Sequence, residues 1–410
     1  MTFRITTMNQ DIRDFEENAI LPFDFPTESR KIIKVIGVGG GGGNAVKNMY
    51  REGIHDVVFV LANTDQQALA DSDIPVKLQL GHQTTNGLGA GNDPVVARKA
   101  AEESLEDIKA QFKDDTQMVF ITAGMGGGTG TGAAPVIARC AKECGMLTVG
   151  IVTIPFKFEM RLKIIQALKG VKEMSQYVDA LLVISNEKLL EIYPGESIAT
   201  GFKHVDETLT TATKSIAELI TCRGIINLDF RDVKKILSNG GVAIMSTGVA
   251  KGENRVNQAF DAALKSPLLY NNDIHKSKKI LFNIYQSTHA EYQLMLDEMN
   301  EVRHFMDKFV DKNIEVIWGL ANDDTLTDEV KITVLATGFG MESIPMMDEE
   351  EETDRVIEVI YGDRVDKKQL YLYEMSDADL DNDALIDALE SSPSYLRNQT
   401  GLNEIKSLRA

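Results

Sequence analysis

The chain has 410 residues, 43% of them apolar in type, and a net charge of −19, enough for two domains with their own cores plus tails. No run approaches the roughly 20 apolar residues that cross a bilayer, and no basic stripe exists to displace counterions from nucleic-acid phosphates. Direct membrane insertion and nucleic-acid binding are therefore not expected.

Residues 1–30 read as an N-terminal extension. They carry Asp11, Asp14, Glu16 and Glu17 and no apolar core, so a signal peptide is not expected. Ile32 to Ile36 predicts a strand that runs into Gly37-Val38-Gly39-Gly40-Gly41-Gly42-Gly43-Asn44, with a short helix from Asn44 to Arg51 ended by Gly53. Val57–Leu61 and Val76–Leu80 are the next strands, followed by a turn-rich stretch from Gly81 to Gly91. Asp93-Pro94 predicts an N-cap and first residue of a helix with Ala101, Leu105, Ile108 and Phe112 on one face. Met118–Ala123 is an apolar strand leading into six glycines in nine positions, 124–132, with Pro135 expected in the first turn of the next helix. Leu147–Val152 and Ala180–Ser185 complete the set. Apolar strands without alternation, joined by helices, mean a mostly parallel, doubly wound α/β sheet.

A helix from about Asp206 to Cys222 puts Leu209, Ala212, Ile216, Leu219 and Ile220 on one face. Strands at Val242–Ser246, Ile280–Tyr285, Ile314–Trp318 and Ile332–Ala336, with helices near Val256–Lys265 and Tyr292–Phe309, predict a second, smaller α+β domain ending near Gly340. Met295 and Met299 read as core positions of the last helix. The implied organisation is 31–205, a central helix 206–223, 224–340, a linker 341–390 and a tail 391–410. Glu342 to Glu390 holds 17 acidic residues against 4 basic ones, which predicts a solvated, self-repelling segment. Within it Val356 to Tyr361 and Leu370 to Tyr373 could form a short local hairpin. Cys140, Cys144 and Cys222 have no histidine cluster beside them, so reduced thiols of a cytoplasmic protein are expected and a zinc site is not. The six histidines are scattered, which favours surface or core roles.

Two glycine loops, each after a buried strand, expose backbone N–H groups to an anion, and Thr129 and Thr131 add hydroxyls. Two such loops in one domain suggest a nucleotide. Gly37-x-Gly39-x-x-Gly42 matches the dinucleotide fingerprint of an oxidoreductase. The surplus glycines, the Asn63-Thr64-Asp65 ending of the second strand and the second loop count against that reading. No Gly-Lys dipeptide occurs, which removes the lysine-bearing phosphate loop. A nucleoside triphosphate site without a loop lysine is left.

Gly126-Gly127-Gly128-Thr129-Gly130-Thr131-Gly132 resembles the signature of the tubulin/FtsZ family. The resemblance extends from about Ile32 to Gly340 through Gly87 to Gly91, Pro155 to Glu159 and Asn227 to Asp232. It implies a tubulin-like fold, GTP and GDP as ligands, and Mg²⁺ held mainly through phosphates and water. Residues Gly40, Gly41, Gly42, Gly43 and Asn44 would wrap the phosphates. Gly128, Thr129 and Gly130 would hold the β- and γ-phosphates, and Gly89, Ala90 and Gly91 would sense the γ-phosphate. Glu159 would bind the ribose beside Lys163, which stands where the family usually has arginine, and Met160 replaces a usual glycine. Asn186 and Asp206 would read the guanine, with Phe202 stacked near it. An acceptor at Asp206 suits the N1–H and N2 amino group of guanine and repels N1 of adenine.

Spacing alone makes Asp229 and Asp232 the N-cap and N3 of a helix. The resemblance implies instead that Asn227, Asp229 and Asp232 enter the nucleotide pocket of the next subunit and polarise the attacking water there. Hydrolysis would then need head-to-tail homopolymers, a contact that does not close. The segment Pro393-Ser394-Tyr395-Leu396-Arg397 is similar to the family's C-terminal recognition peptide for membrane-anchoring and regulatory division proteins. The expected protein is a self-polymerising cytoskeletal GTPase at the midcell division site. A plasmid-partition or cell-shape homologue is the alternative on the same fold, and a nicotinamide-dependent oxidoreductase the distant one.

Overall fold

The structure, a computed structural model, describes residues 31–54, 56–221, 224–226, 228–265, 274–310, 314–339, 373, 382–392 and 399–408. The chain divides into two compact units, Met1–Met347 and Asp348–Ala410. The first is organised by eleven strands: β1 (Ile33–Val38), β2 (Val57–Asn63), β3 (Val76–Gln79), β4 (Met118–Gly124), β5 (Leu147–Ile154), β6 (Ala180–Ser185), β7 (Gly224–Ile226), β8 (Gly241–Lys251), β9 (Lys279–Ser287), β10 (Glu315–Asp323) and β11 (Glu329–Phe339). They form one sheet in the order β3-β2-β1-β4-β5-β6-β8-β11-β9-β10-β7.

Every neighbouring pair from β3 to β8 is parallel. β11 runs antiparallel to both β8 and β9, while β9 and β10 are parallel and β7 closes the edge antiparallel to β10. The expected doubly wound sheet is present, and it runs on into the second half through Ala180 to Leu182 of β6 beside Gly241 to Ala243 of β8. Both β1 and β5 are buried along their whole length, as strands covered by helices on both faces must be.

The covering helices are α1 (Gly39–Arg51), α2 (Gln66–Ala70), α3 (His82–Thr85), α4 (Pro94–Glu103), α5 (Leu105–Ala110), α6 (Gly128–Glu143), α7 (Arg161–Ser175), α8 (Asn186–Ile192), α9 (Ile198–Thr221), α10 (Phe230–Leu237), α11 (Arg255–Leu264) and α12 (Met299–Val310). One core unites β1, β4 and β5 with apolar positions of α1, α9 and α10, among them Val46, Leu209, Ile216 and Ile236. A second lies under α11 and α12, where Phe260 stacks on Phe305 at 3.8 Å and meets Phe282 edge-on.

Several expectations need correcting. The helix after β1 begins at Gly39, so the glycines form its first turns. α6 already starts at Gly128, which puts Pro135 inside the helix, where its ring leaves the Thr131 carbonyl without its helical donor. The helix read through 94–112 breaks at Ser104, whose Oγ accepts the Gly81 N–H at 2.9 Å, a tertiary bond that periodicity cannot register. α9 starts eight residues before Asp206, so Phe202 and Asp206 lie one turn apart on the same helix. α12 starts only at Met299, because the segment before it is a 3₁₀ turn at Ala290–Tyr292 and a turn at 296–298, fixed by Arg255, which donates to Tyr292 O, Gln293 O and both oxygens of Glu298. Met295 is consequently 61% exposed, whereas Met299 does pack on the core. The three-residue β7 is too short to leave a periodic signal and was not expected.

In the second unit α13 (Asp383–Ser391) and α14 (Gln399–Ser407) are helical, so part of the span read as linker is ordered. Asn382 Nδ2 donates to Leu408 O at 2.9 Å and Leu385, Leu402 and Ile405 are buried. The N-terminal extension, the proposed local hairpin apart from Tyr373, Pro393 to Arg397 and Cys222 lie outside the described residues.

The contact between β8 and α11 depends on Gly248. A Cβ there would meet Ala259 O at 2.1 Å and Ala263 N at 2.4 Å, both backbone atoms. Gly248→Ala is expected to lower stability by about 1–3 kcal/mol, read as a lower urea midpoint at unchanged slope.

Candidate functional site

Both glycine segments sit at the carboxyl ends of adjacent parallel strands, β1 and β4, where doubly wound sheets bind ligands. Their backbones approach too closely for side chains. A Cβ on Gly42 would lie 2.2 Å from Thr122 O, one on Gly130 2.3 Å from Gly124 O, and one on Gly39 3.0 Å from Gly130 N. The starts of α1 and α6 therefore converge. Neither has a side-chain cap or an acidic residue in its first turn, whereas α2, α4 and α10 are capped by Asp65, Asp93 and Asp229. Uncapped N–H groups at two converging helix starts form an anion site. Gly40, Gly41 and Asn44 are exposed, and Gly42 and Gly43 are buried behind them.

Gly89 to Gly91 close onto the same place. A Cβ on Gly128 would meet Asp93 N, Ala90 Cβ and Asn92 C at 3.0–3.2 Å, and Gly89 N donates to Thr64 O at 3.3 Å. Thr64 Oγ1 lies 2.8 Å from Thr129 Oγ1. Thr131 points inward instead and accepts the Gly126 N–H at 2.9 Å, so it shapes the loop. Sequence reasoning missed Thr64 and Gln166. Gln166 Nε2 reaches Asn92 O, Gly126 O and Gly127 O at 3.1–3.3 Å and ties the two loops together. Its position three residues after Lys163, on the same face of α7, was the available signal.

Lys163 Nζ donates to Glu159 Oε2 at 2.7 Å, and Glu159 Oε1 accepts the Phe156 N–H at 3.0 Å. Lys163 O lies 2.9 Å from the position of a Cβ on Gly126, which sets this pair beside the glycine loop. Phe156, Leu189 and Val205 form a small core that draws α8 and α9 onto the segment after β5. Phe202 is 41% exposed, with its ring edge-on to Phe156 at 5.3 Å. Asn186 opens α8 and is buried, and its Oδ1 has no hydrogen-bond partner, an acceptor left for a donor from outside the chain. Asp206 is half-buried. Burial, and then the charge of Glu207, push its carboxyl up to about 6. Asn48 Nδ2 donates to Thr210 Oγ1, which donates to Asp206 O, linking α1 to this turn of α9.

Asp229 and Asp232 form a reciprocal capping box: Asp229 Oδ1 accepts from Arg231 N and Asp232 N, and Asp232 Oδ2 from Asp229 N. Next to them Leu228 packs over Gly319 of β10, where an added Cβ would meet Leu228 Cγ at 2.8 Å. α9 rises about 22 Å between Asp206 and Thr221 before the chain reaches these acids. α10 packs on the core shared with β1, β4 and β5 and ends next to Gly240, whose N–H donates to Asp179 O just ahead of β6, at the amino ends of the parallel strands, whereas the glycine loops lie at their carboxyl ends. Asn227 lies outside the described residues. Among the described residues no group of three or more His, Cys, Asp or Glu is placed to hold a metal, and no helix is long and apolar enough to cross a membrane.

A doubly wound sheet with a glycine-built anion site, polar groups short of partners on α8 and α9 and a second α/β layer beyond β8 defines a tubulin-like nucleotide-binding protein. Comparison with known proteins makes this specific. Residues 32–194 match the family model for the Tubulin/FtsZ family GTPase domain, 241–340 that for the FtsZ family C-terminal domain, and 366–410 that for the FtsZ C-terminal region. The cell division protein FtsZ of Porphyromonas gingivalis is 48% identical over 96% of this chain and 91% of its own length. That of Coxiella burnetii is 47% identical over 75% of this chain and 79% of its own. Among solved structures, an empty FtsZ dimer of M. jannaschii superposes with a TM-score of 0.70 at 38% identity, covering 82% of this chain and 94% of its own. The chain belongs to the FtsZ family of tubulin-like, GTP-hydrolysing cell-division proteins.

Met160 carries φ +78° and ψ 151°, a conformation that side chains rarely adopt, and it is 72% exposed. Met160→Gly removes that strain at little packing cost. It is expected to raise stability by about 1 kcal/mol, measurable as a higher thermal midpoint.

Proposed function

We propose that this GTPase hydrolyses GTP at the junction between head-to-tail subunits of a filament that scaffolds the division ring at midcell in the cytoplasm. The first-turn N–H groups of Gly40 to Asn44 hold the phosphates, with Gly128, Thr129 and Gly130 at the β- and γ-groups and Gly89 to Gly91 closing on the γ-phosphate. The Glu159–Lys163 pair binds the ribose. Asn186 and Asp206 read the guanine edge, and Phe202 covers its face. Asp229 and Asp232, with Asn227, come from the next subunit and orient the attacking water. Capping and catalysis are compatible, because each carboxylate keeps lone pairs beyond those its backbone donors use.

The observation that carries this reading is that α10 runs to the amino ends of the parallel strands, while the phosphate loops of the same chain lie at the carboxyl ends. The phosphate cradle offers donors without a catalytic base, so the base must arrive from another copy, and such a contact propagates instead of closing. The donor set fits Mg²⁺ held by phosphate oxygens and water, where it would neutralise charge developing on the transferred phosphoryl group. The C-terminal tail would dock on membrane-anchoring and regulatory division proteins.

Two outcomes follow. Asp229→Ala and Asp232→Ala are expected to bind GTP normally and lose at least 100-fold in turnover, roughly the scale of a missing general base. Mixing either with a chain defective in GTP binding should recover phosphate release at hybrid junctions. Equal losses of affinity and turnover would point to capping alone.

Phosphate release per molecule should also depend on concentration. At saturating GTP and Mg²⁺ it should be near zero below a critical concentration and rise above it. A constant specific rate across the dilution series would exclude the shared site.

A further inference from the structure

His204 stands two residues before Asp206 and engages three groups at once. Its Nδ1 is 2.8 Å from Glu207 Oε2 and its Nε2 is 2.8 Å from Glu196 Oε2. Its ring stacks on Tyr193, with centroids 3.8 Å apart and planes at 11°. Tyr193 and Glu196 belong to the segment between α8 and α9, and Glu207 follows Asp206 on α9. A carboxylate offers only acceptors and a neutral imidazole only one N–H, so both contacts are hydrogen bonds only when the ring carries two protons.

We propose that His204 is a positioning residue for guanine recognition: it clamps the Tyr193–Glu196 turn onto α9 and engages the Glu207 carboxylate, leaving Asp206 free to accept the guanine N–H groups. The inference rests on Asp206 reading the base, as proposed above.

The surrounding charges are arranged for this. Glu207 and then Glu196 raise the ring above the ordinary histidine range, and the His204 hydrogen bond holds Glu207 below the usual carboxylate range. Lys203 Nζ lies 3.3 Å from the other Glu207 oxygen. On α8, Lys188 and Glu191 are paired with each other at 2.9 Å.

The sign follows from linkage. A group raised in the folded chain contributes fully below its unfolded value, about 6.5 for histidine, and its contribution is lost as the pH rises through the folded value. The clamp is therefore closed on the acid side. There Asp206, raised to about 6 by burial and by Glu207, takes up a proton and ceases to be a pure acceptor. Charging His204 offsets Glu207 over the same range, so guanine binding persists to lower pH than Asp206 alone would allow.

The test is equilibrium binding of a fluorescent GTP analogue to the full chain between pH 5 and pH 8. His204→Gln should move the acid midpoint for loss of affinity upward by roughly half a pH unit, about threefold weaker binding below it. Adding Glu207→Gln should restore the midpoint. An unmoved midpoint, or a loss equal at every pH that Glu207→Gln does not restore, overturns the proposal. Competition of GTP against ATP in Asp206→Asn separates the two layers. An altered preference with an unmoved His204→Gln midpoint sinks the His204 inference alone, while an unchanged preference sinks the base reading and the inference with it. Should His204→Gln fail to fold, ring titration by NMR in the unmutated chain decides: a His204 midpoint above about 6.5, lowered by Glu196→Gln, supports the clamp, and one at or below that value overturns it.

Discussion

The site depends on how closely the starts of α1 and α6 are both drawn onto the end of β4. Gly42 against Thr122 and Gly130 against Gly124 leave room for hydrogen atoms and nothing larger. An added methyl at either position would push a helix start away from its neighbour. The convergence concentrates uncapped N–H groups and the positive ends of two helix dipoles in one small volume. That field has no compensating acid within the first turns, so the ligand must bring the negative charge itself. A triphosphate does so.

The base end follows a different logic. It is built from α8 and α9 and from a small aromatic and aliphatic cluster, and its polar atoms are left short of partners. The buried Oδ1 of Asn186 lacks a donor, and Asp206 carries a charge that burial opposes. Both deficits cost stability in the empty protein, and under the proposed reading the N–H groups of guanine would relieve them. Selectivity would then arise because adenine leaves the same acceptors unsatisfied.

α10 shares one core with α1, α9, β1, β4 and β5. Beyond it the chain enters β8 with Gly241 beside Ala180, at the amino ends of the parallel strands, opposite the ends that carry the glycine loops. Under the function proposed above, the layer that builds the phosphate cradle lacks its base, and self-association would be a condition of catalysis.

Much of this was legible in the residues. Unalternating apolar strands at Ile33–Val38, Met118–Gly124 and Leu147–Ile154 are buried on both faces, and that pattern needs no partner to be recognised. Glycines in series imply close approach, because no other residue tolerates it. Asp93, Asp229 and their following residues announced caps through local bonding alone. What stayed hidden depends on groups distant in sequence. Ser104 ends a helix because Gly81 needs an acceptor, and Arg255 delays α12 by binding carbonyls of the segment before it. Gln166 joins loops 40 and 74 residues away. Which end of the sheet α10 reaches was also beyond the sequence, since strand order is set by tertiary pairing. Local chemistry determined what each segment could do, and long-range backbone hydrogen bonding decided which segments meet.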